Sequence, residues 1–443
     1  MTNRDRPGGV ALPAVDRWGS EDVPSLVAWL GEAQSPDLLR VRRRPLHALS
    51  DWTFDPATGN LRHRTGRFFT IEGLRVRHIS GPGMPWMQPI INQSDVGILG
   101  LLVADEGGCR KALVQRKVEP GNVNVAQISP TLQATRSNYT RVHGGAVPPY
   151  LEYFLDPSAG TVVVDQLQME QGARYCGKRN RNMIVQVRAG DVPIGPDYRW
   201  VSMDDLVSLA GCPNALNLDT RSVLSCLPGG GASAAPWVAG DAPAHIAAWL
   251  ARMREGCALD VEAVPLRDVA GWGYDGESLT HESGRFFEVI GVSVEAPTRE
   301  VPAWDQPLVR SCGRGVIGFL CQRQRGTLRF LARGVIEPGD PCVRIGPTVQ
   351  CMSNGHRPPP LFFDEIVHAA KDQTRLRTIQ SEEGGRFYHD ERLLAVVEVP
   401  PDTRVDHPPE FLWMTLDEIK AMIGCGQVNI EARSLIACLP ISA

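Results

Sequence analysis

The residues best suited to chemistry form one run between Gln127 and Gly145. From position 127 to 133 every odd residue is polar and every even one apolar, which in an extended strand directs four hydrogen-bonding side chains to one face. These four are Gln127, Ser129, Thr131 and Gln133. Further donors, acceptors and titratable groups follow at Thr135, Arg136, Ser137, Asn138, Tyr139, Arg141 and His143. The pattern predicts either the wall of a polar pocket or the solvated side of a surface strand.

A second polar segment begins at Asp165 and is rich in amides and cations. It predicts further binding groups at Gln168, Glu170, Arg174, Lys178, Arg179, Asn180, Arg181 and Asn182. Guanidinium and ammonium groups interleaved with asparagines suit a diphosphate and a hydroxylated sugar. The alternative interpretation is an ordinary charged surface in contact with water.

The chain carries the same domain twice. Three motifs return in the same order: Gly66-Arg67-Phe68-Phe69 as Gly284-Arg285-Phe286-Phe287, Trp86-x-Gln88-Pro89 as Trp304-x-Gln306-Pro307, and Glu119-Pro120-Gly121 as Glu337-Pro338-Gly339. The second copy is therefore an internal control. Residues that both copies keep are candidates for scaffold, and residues that one copy has lost are candidates for chemistry.

The two copies differ most at the two polar segments. In the second copy the polar counterparts that remain are Thr348, Gln350, Gln380, Glu382 and Arg386. Arg136 and Tyr139 have no counterpart there, and Lys178 is replaced by Asp390. We therefore predict an active pocket in the first copy and a degenerate pocket in the second.

The elements that must position these groups are strands with few helices. Strand-like runs span 68–79, 97–104, 112–118, 161–167 and 183–187, and a helix with a Trp-Leu pair opens each copy. Capping boxes at Ser202 and Thr415 predict the helix that closes each copy. The fold class is α+β (mixed α/β). We predict a disordered tail over 1–20, a first copy over 21–228, a Gly/Ala-rich linker over 229–240 and a second copy over 241–443.

Composition narrows the function further. The chain has 443 residues, is 43% hydrophobic and has a formal net charge of −4, which describes a soluble globular protein with no general attraction to nucleic acid. Neither a membrane-length apolar run nor an N-terminal signal stretch is present, so we expect a cytoplasmic protein. Eleven cysteines without a Cys-x-x-Cys pair indicate thiols, and no metal is expected. No nucleotide-binding glycine loop of the standard kinds occurs.

Two motifs resemble those of a known family. The core Ser129-Pro130-Thr131-x-Gln133-Ala134-Thr135-Arg136-Ser137-Asn138-Tyr139-Thr140 and the segment Lys178-Arg179-Asn180-Arg181-Asn182-Met183 resemble signatures of the NDP-hexose 2,3-dehydratases. The resemblance covers nearly the whole chain, including the duplication. It implies two Nudix-like domains that lack the Nudix metal-binding helix, a homodimer and no added cofactor. It also implies a dTDP-4-keto-6-deoxyglucose substrate, converted to a 3,4-diketo-2,6-dideoxy sugar in the biosynthesis of deoxysugars for antibiotics and other natural products.

Such a reaction needs a base for the C3 proton, a donor or cation for the C4 enolate oxygen and an acid for the departing C2 hydroxyl. His143 suits proton transfer near neutrality, and Glu170 suits the role of base if burial raises its pKa. Tyr139 is a candidate acid or enolate donor, and Arg136 or Lys178 a candidate cation.

Three other functions stay open at this stage. The chain can be a nucleotide-sugar binding protein without chemistry, a divergent NDP-sugar hydrolase, or an RNA-binding protein that uses positions 178–182. Overall acidity disfavours RNA. Trp52 and Trp86 are candidate stacking surfaces for thymine, but both recur, as Trp272 and Trp304, which favours a packing role.

Overall fold

The computed structural model describes residues 22–33, 38–80, 83–136, 147–227, 242–297, 301–352 and 358–439. The predicted tail over 1–20 and the predicted linker over 229–240 lie outside these ranges. Within them, the chain is a mixed α+β protein whose sheets are mostly antiparallel. In the same ranges no helix combines the length and the apolar character needed to cross a membrane.

The elements of the two copies follow the same order. The first copy contains helices α1 (Val23–Glu32), α2 (Glu152–Leu155), α3 (Met203–Ala210) and α4 (Leu218–Ser225). Its strands are β1 (Arg40–Arg44), β2 (Trp52–Phe54), β3 (Leu61–His63), β4 (Thr70–Ser80), β5 (Trp86–Asn92), β6 (Gly97–Glu106), β7 (Cys109–Val118), β8 (Ala126–Ser129), β9 (Leu132–Ala134), β10 (Thr161–Met169), β11 (Arg179–Gln186) and β12 (Tyr198–Ser202).

The second copy contains helices α5 (Ala244–Gly256), α6 (Phe363–Val367), α7 (Leu416–Gly424) and α8 (Ile430–Ala437). Its strands are β13 (Ala258–Val264), β14 (Trp272–Tyr274), β15 (Leu279–His281), β16 (Phe287–Glu295), β17 (Ala303–Ser311), β18 (Gly315–Gln324), β19 (Thr327–Glu337), β20 (Asp340–Gly346), β21 (Val349–Met352), β22 (Thr374–Ser381), β23 (Glu391–Val399) and β24 (Phe411–Thr415). Short 3₁₀ turns lie at Leu46–Ala48, Ala189–Asp191, Leu266–Asp268 and Lys371–Gln373.

A seven-stranded sheet forms the centre of each copy. In the first copy the order is β10-β11-β6-β7-β12, with β8 paired to β7 and β9 paired to β6. The pair β6–β11 is parallel and the other pairs are antiparallel. Strand β6 is buried along most of its length because its sequence is apolar on both faces, as a central strand requires. The second copy repeats this arrangement with β22-β23-β18-β19-β20 and the added strands β21 and β24.

The two copies exchange one strand. Strand β1 of the first copy pairs antiparallel with β16 of the second, and β13 of the second pairs antiparallel with β4 of the first. The β13–β4 pair also carries cross-strand ion pairs, with Arg75 at 2.8 Å from Glu262 and Arg77 at 2.6 Å from Asp260. Each five-stranded outer sheet is therefore completed by the other copy.

The hydrophobic core is shared as well. One cluster of buried side chains includes Trp29 of α1 and Trp249 of α5, and helices α4 and α8 pack against each other within it. Reciprocal indole bonds join the outer sheets, since Trp52 Nε1 donates to the Asp305 carbonyl at 2.9 Å and Trp272 Nε1 to that of Met87 at 3.1 Å. These two indoles recur because each copy packs on the other.

Most predicted elements are present, and one prediction about the copy ends is wrong. Ser202 caps α3, and Thr415 forms a full capping box with Glu418 at the start of α7. These helices do not close the copies, because α4 and α8 follow them, capped by Asn217 and Asn429. Both later helices are buried on all sides, so their sequences lack the one-sided apolar periodicity that marks a surface helix.

Candidate active site

The polar run from 127 to 133 is buried, and it is not one strand. The predicted single extended strand is wrong: β8 ends at Ser129, β9 begins at Leu132, and Pro130 lies between them. The two pieces pair with different neighbours, β8 with β7 and β9 with β6. Gln127 and Ser129 have no exposed surface and Thr131 only 1%. The run therefore lines the interior of the first copy.

Thr131 bridges the two central strands of the sheet. Its hydroxyl accepts a hydrogen bond from the Leu102 amide at 2.9 Å and donates one to the Leu113 carbonyl. The second copy repeats this arrangement at Thr348, with the Leu320 amide at 2.9 Å. Both bonding functions of each hydroxyl are thus used within the protein, which explains why the threonine is kept in both copies.

We expect Thr131→Val and Thr348→Val to lower the free energy of unfolding by similar amounts, about 1–3 kcal/mol each. Each change leaves a buried amide and a buried carbonyl without the threonine hydroxyl. Chemical denaturation of both variants measures the effect. If Thr131→Val also raised KM for the sugar nucleotide and Thr348→Val did not, Thr131 would contact substrate in addition.

Gln133 joins the run to an acidic residue outside it. Its Nε2 donates to Glu119 Oε1 at 3.2 Å, and its Oε1 accepts from Ser129 Oγ at 3.2 Å and from Asn217 Nδ2 at 3.3 Å. Lys117 Nζ lies 3.2 Å from the same Glu119 oxygen. The other oxygen, Oε2, is buried and has no hydrogen-bond partner among the described residues. One side of the Glu119 carboxylate therefore keeps its capacity to accept a hydrogen bond.

Glu170, directly after β10, is a buried carboxylate with a neutral partner. Asn180 Nδ2 on β11 donates to Glu170 Oε1 at 2.7 Å. Burial raises the pKa of Glu170, and the nearby Glu383 carboxylate of the second copy adds to this, whereas Arg433, Asn180 and Lys178 oppose it. The net result is a pKa above the usual value, which suits a general base.

Its counterpart Glu382 has the opposite environment. Arg392, which stands where the first copy has Asn180, donates from Nε to Glu382 Oε1 at 2.9 Å, and Gln171 Nε2 donates to Oε2 at 2.5 Å. Arg392 also contacts Asp390 at 3.2 Å. The glutamate is kept in both copies, but in the second it is held in an ion pair with Arg392.

Strand β11 divides the predicted cationic segment between two faces. Lys178 and Asn182 are buried, whereas Arg179 is exposed and Arg181 forms an ion pair with Asp165 at 2.5 Å on the outer side. This follows from the two-residue period of a strand. The structure therefore brings Lys178, Asn180 and Asn182 together with Glu170 and does not bring Arg179 or Arg181 to them.

Asp95 links Lys178 to the end of the polar run. Lys178 Nζ lies 3.3 Å from Asp95 Oδ1 and also bonds to the Asp95 carbonyl, and the Arg136 amide donates to Asp95 Oδ2 at 3.0 Å. Burial acts to raise the pKa of Asp95, but Lys178, Gln93 and the Arg136 amide together lower it, so the group is charged. Thr135 precedes Arg136 at a half-buried position.

Arg174 and Arg386 cross between the copies. The Arg174 guanidinium lies over the Phe287 ring of the second copy at 4.2 Å, and Arg386 lies over Phe69 of the first at 4.3 Å. Arg386 also donates to Gln93 Oε1, at 3.2 and 3.3 Å. Burial, with help from the Arg392 charge, lowers the pKa of Arg174 to about 10. Arg174 was predicted to belong to the pocket of the first copy but packs against the second. Arg386 was predicted to belong to the pocket of the second copy but packs against the first.

Buried glutamines make similar crossings. Gln168 Nε2 donates to the Ile423 carbonyl at 2.8 Å, and its counterpart Gln380 donates to carbonyls at the end of α3, at 2.8 and 3.0 Å. Gln127 Nε2 donates to Ser381 Oγ at 2.7 Å. In the second copy Gln350 Nε2 donates to Glu337 at 2.9 Å, as Gln133 does to Glu119. These amides connect the copies and brace the carboxylates.

The structure describes part of the predicted site and adds other residues to it. Ser137, Asn138, Tyr139, Arg141 and His143 lie outside the described residues. The structure adds Asp95, Glu119, Asp219, Glu383 and Arg433 to the surroundings of Glu170 and Lys178. The sequence did carry a signal for Glu383, because it is the charged counterpart of Gln171. Among the described residues no group of three or more His, Cys, Asp or Glu side chains is arranged to hold a metal ion.

Comparison with known proteins settles the family. The model of the family described as NDP-hexose 2,3-dehydratase matches residues 24–227 and, a second time, residues 243–439. The chain belongs to the NDP-hexose 2,3-dehydratase family. The resemblance found in the sequence is therefore confirmed, and the dehydratase family model itself matches once per copy.

Curated dehydratases are similar over nearly their whole length. The chain is 41% identical over 432 residues to a dTDP-4-dehydro-6-deoxy-alpha-D-glucopyranose 2,3-dehydratase of Streptomyces violaceoruber, covering 94% of this chain and 97% of the relative. It is 40% identical over 437 residues to an enzyme of the same name from Saccharopolyspora spinosa, covering 93% and 90%. A third dehydratase of that name, from Amycolatopsis orientalis, is 40% identical over 457 residues, covering 100% and 95%.

Proposed function

We propose that the protein removes water from C2 and C3 of dTDP-4-keto-6-deoxyglucose, with Glu170 of the first copy as the base. The observation that carries the assignment is the contrast between Glu170 and Glu382. One is a buried carboxylate bonded to a neutral amide, with a raised pKa, and the other is paired with Arg392. Family membership and the names of the similar proteins support the substrate and the reaction.

The proposed chemistry begins at the proton on C3, which the neighbouring C4 ketone acidifies. Glu170 takes this proton, and the electrons form an enolate between C3 and C4. The enolate then expels the C2 hydroxyl, which leaves as water after protonation. The resulting enol becomes the C3 ketone when a proton is added at C2. A base with a pKa nearer neutrality than that of a free glutamate accelerates the first step.

The developing enolate needs positive charge or hydrogen-bond donors near C4. Lys178 is proposed for this role because its ammonium group lies 3.3 Å from Asp95 Oδ1 inside the site. Arg136 is proposed as well because its backbone amide donates to the same carboxylate, which places the residue at the same end of the site. Tyr139 or His143 is proposed to protonate the departing hydroxyl. The remaining polar residues of the two segments, apart from the fully buried Asn182, stay proposed binding groups for the diphosphate and the sugar.

The wider description of the enzyme is also a proposal. We propose that each copy is a Nudix-like domain with the boundaries predicted above, which the repeated mixed sheet supports. We further propose a cytoplasmic homodimer that acts without an added cofactor in the biosynthesis of antibiotic sugars. The dehydratase names of the similar proteins support a role in deoxysugar formation.

The test is turnover of dTDP-4-keto-6-deoxyglucose in deuterium oxide. The expected product has lost one water and carries deuterium at C2, and its vicinal diketone is trapped by condensation with an aromatic 1,2-diamine. Magnesium-dependent release of thymidine monophosphate would instead indicate a hydrolase. Tight binding of the sugar nucleotide with no loss of water would indicate a binding protein.

A further inference from the structure

A chain of buried hydrogen bonds connects the second copy to Glu170. Arg433 on α8 donates from Nη1 to Ser222 Oγ on α4 at 2.5 Å, and Ser222 Oγ donates to Asn182 Oδ1 at 2.9 Å. Asn182 Nδ2 donates to the Asn180 carbonyl at 3.2 Å, and the Asn180 side chain in turn donates to Glu170 at 2.7 Å. Arg433, Ser222 and Asn182 are each no more than 2% exposed.

Two further bonds fix the ends of this chain. Arg433 Nη2 donates to the Met169 carbonyl at 2.6 Å, next to Glu170 in sequence. The Gly97 amide donates to Asn180 Oδ1 at 3.1 Å, which turns the Asn180 NH₂ group towards the carboxylate. Both the backbone beside Glu170 and the donor to its side chain are therefore held in place.

The second copy lacks the equivalent chain. Arg221 donates from Nε to Ser434 Oγ at 2.8 Å and from Nη2 to the Ser381 carbonyl at 2.6 Å, which repeats the arginine end. The counterpart of Asn182, however, is Leu394, which has no polar side-chain atom. The connection stops at the serine. Asn182 is buried and bonded through both side-chain atoms, so the first copy has a polar connection that the second copy lacks.

We propose that Arg433, Ser222 and Asn182 are positioning residues that orient Asn180 towards Glu170, so that the second copy contributes to the reaction of the first without touching the substrate. This inference rests on the proposed role of Glu170 as base. It gives the second copy a structural role in the reaction, because Arg433 of that copy holds one end of the series of hydrogen bonds.

Several charged groups lie near Glu170 and affect its pKa, so a pH profile can test the proposal. Arg433 approaches from α8, Asp219 lies on α4, Glu383 follows β22 and Lys178 precedes β11. A bond from Asn180 stabilises the charged carboxylate and so lowers the pKa of Glu170. Weakening that bond is expected to raise the pKa of Glu170 and to move the acid limb of the pH profile of kcat/KM to higher pH.

The experiment compares Ser222→Ala with Ser434→Ala in the full-length protein. Both variants lose one buried hydroxyl that accepts from a buried arginine, and Ser222→Ala also removes the donor to Asn182. Both should therefore lower the temperature of thermal unfolding, Ser222→Ala by somewhat more. Only Ser222→Ala should lower kcat, roughly ten-fold, which corresponds to one lost buried hydrogen bond, with little change in KM. It should also move the acid limb upward, whereas Ser434→Ala should not.

A further variant, Asn182→Leu, replaces the asparagine of the first copy by the leucine that stands at the equivalent position, 394, of the second copy. It should show a larger fall in kcat than Ser222→Ala and the same direction of pH shift. Equal effects of the two serine variants on kcat, or an unmoved acid limb in both Ser222→Ala and Asn182→Leu, would overturn the proposal. Turnover by the unaltered protein is measured in the same assay, and its failure would refute the proposed function instead.

Discussion

Glu170→Gln is expected to lower kcat by about 10²–10⁴-fold, because general-base catalysis by a positioned side chain contributes an acceleration of this size. The substitution keeps the size and the hydrogen-bonding shape of the side chain but removes the capacity to accept a proton. Binding of the sugar nucleotide should change little. Single-turnover kinetics and a separate measurement of Kd distinguish the loss of chemistry from a loss of binding.

The matched control is Glu382→Gln, the same chemical change at the counterpart position. Glu382 pairs with Arg392, which also contacts Asp390, so the guanidinium keeps one carboxylate partner in the variant. We expect this variant to be less stable yet to retain most of its activity. A comparable loss of kcat in both variants would contradict the assignment of the reaction to the first copy.

The pH profile supplies a second measurement on the same residue. A base acts in its charged form, so kcat/KM should fall as the pH drops through the pKa of Glu170 in the free enzyme. Because burial and Glu383 raise the pKa of Glu170, this acid limb should lie at higher pH than for an ordinary glutamate. An acid limb at the usual glutamate range, or one that persists in Glu170→Gln, would show that another group is the base.

The duplication, most strands and the family could be predicted from the sequence, because each depends on a local residue pattern or on long motifs. It also indicated Glu170, directly after β10, and Asn180 on the neighbouring strand β11, whose side chains are 2.7 Å apart. Comparison of the copies, however, gave Glu170 less weight because Glu382 is its duplicate. The structure removes that objection, since the environment of the carboxylate differs although the residue is kept.

What the sequence could not supply was the partnership between the copies. Alternation along 127–133 indicated a polar face, yet the break between β8 and β9 at Pro130 and the pairing with two different strands depend on contacts distant in sequence. The exchange of β1 and β13 and the crossing of Arg174 and Arg386 likewise follow from packing of one copy on the other. The residue pattern within one copy cannot predict contacts that form between the two copies.

The recurring Glu-Pro-Gly motif gives the second large expected effect, on stability. Gly121 of the first copy donates its amide to the Gly384 carbonyl at 2.7 Å and accepts from the His389 amide at 2.9 Å. A Cβ atom at Gly121 would stand 1.7 Å from the Phe387 carbonyl oxygen. Gly339 has the reciprocal contact, with a Cβ 1.7 Å from the Tyr175 carbonyl oxygen. Only a residue without a side chain permits these backbone contacts between the copies.

Gly121→Ala and Gly339→Ala should therefore each lower the free energy of unfolding by about 3 kcal/mol or more, since backbone has to move to admit the methyl group. Gly31→Ala is the control: Gly31 lies in α1, nothing stands within 4 Å of its Cβ position, and alanine favours the helix by up to about 1 kcal/mol. Gly339→Ala should also reduce activity more than Gly121→Ala, because the backbone that it displaces, from Gly172 to Tyr175, begins two residues after Glu170. If Gly121→Ala and Gly31→Ala had the same free energy of unfolding, the copies would not be in contact at this motif. The proposal that the second copy contributes to the site would then be wrong as well.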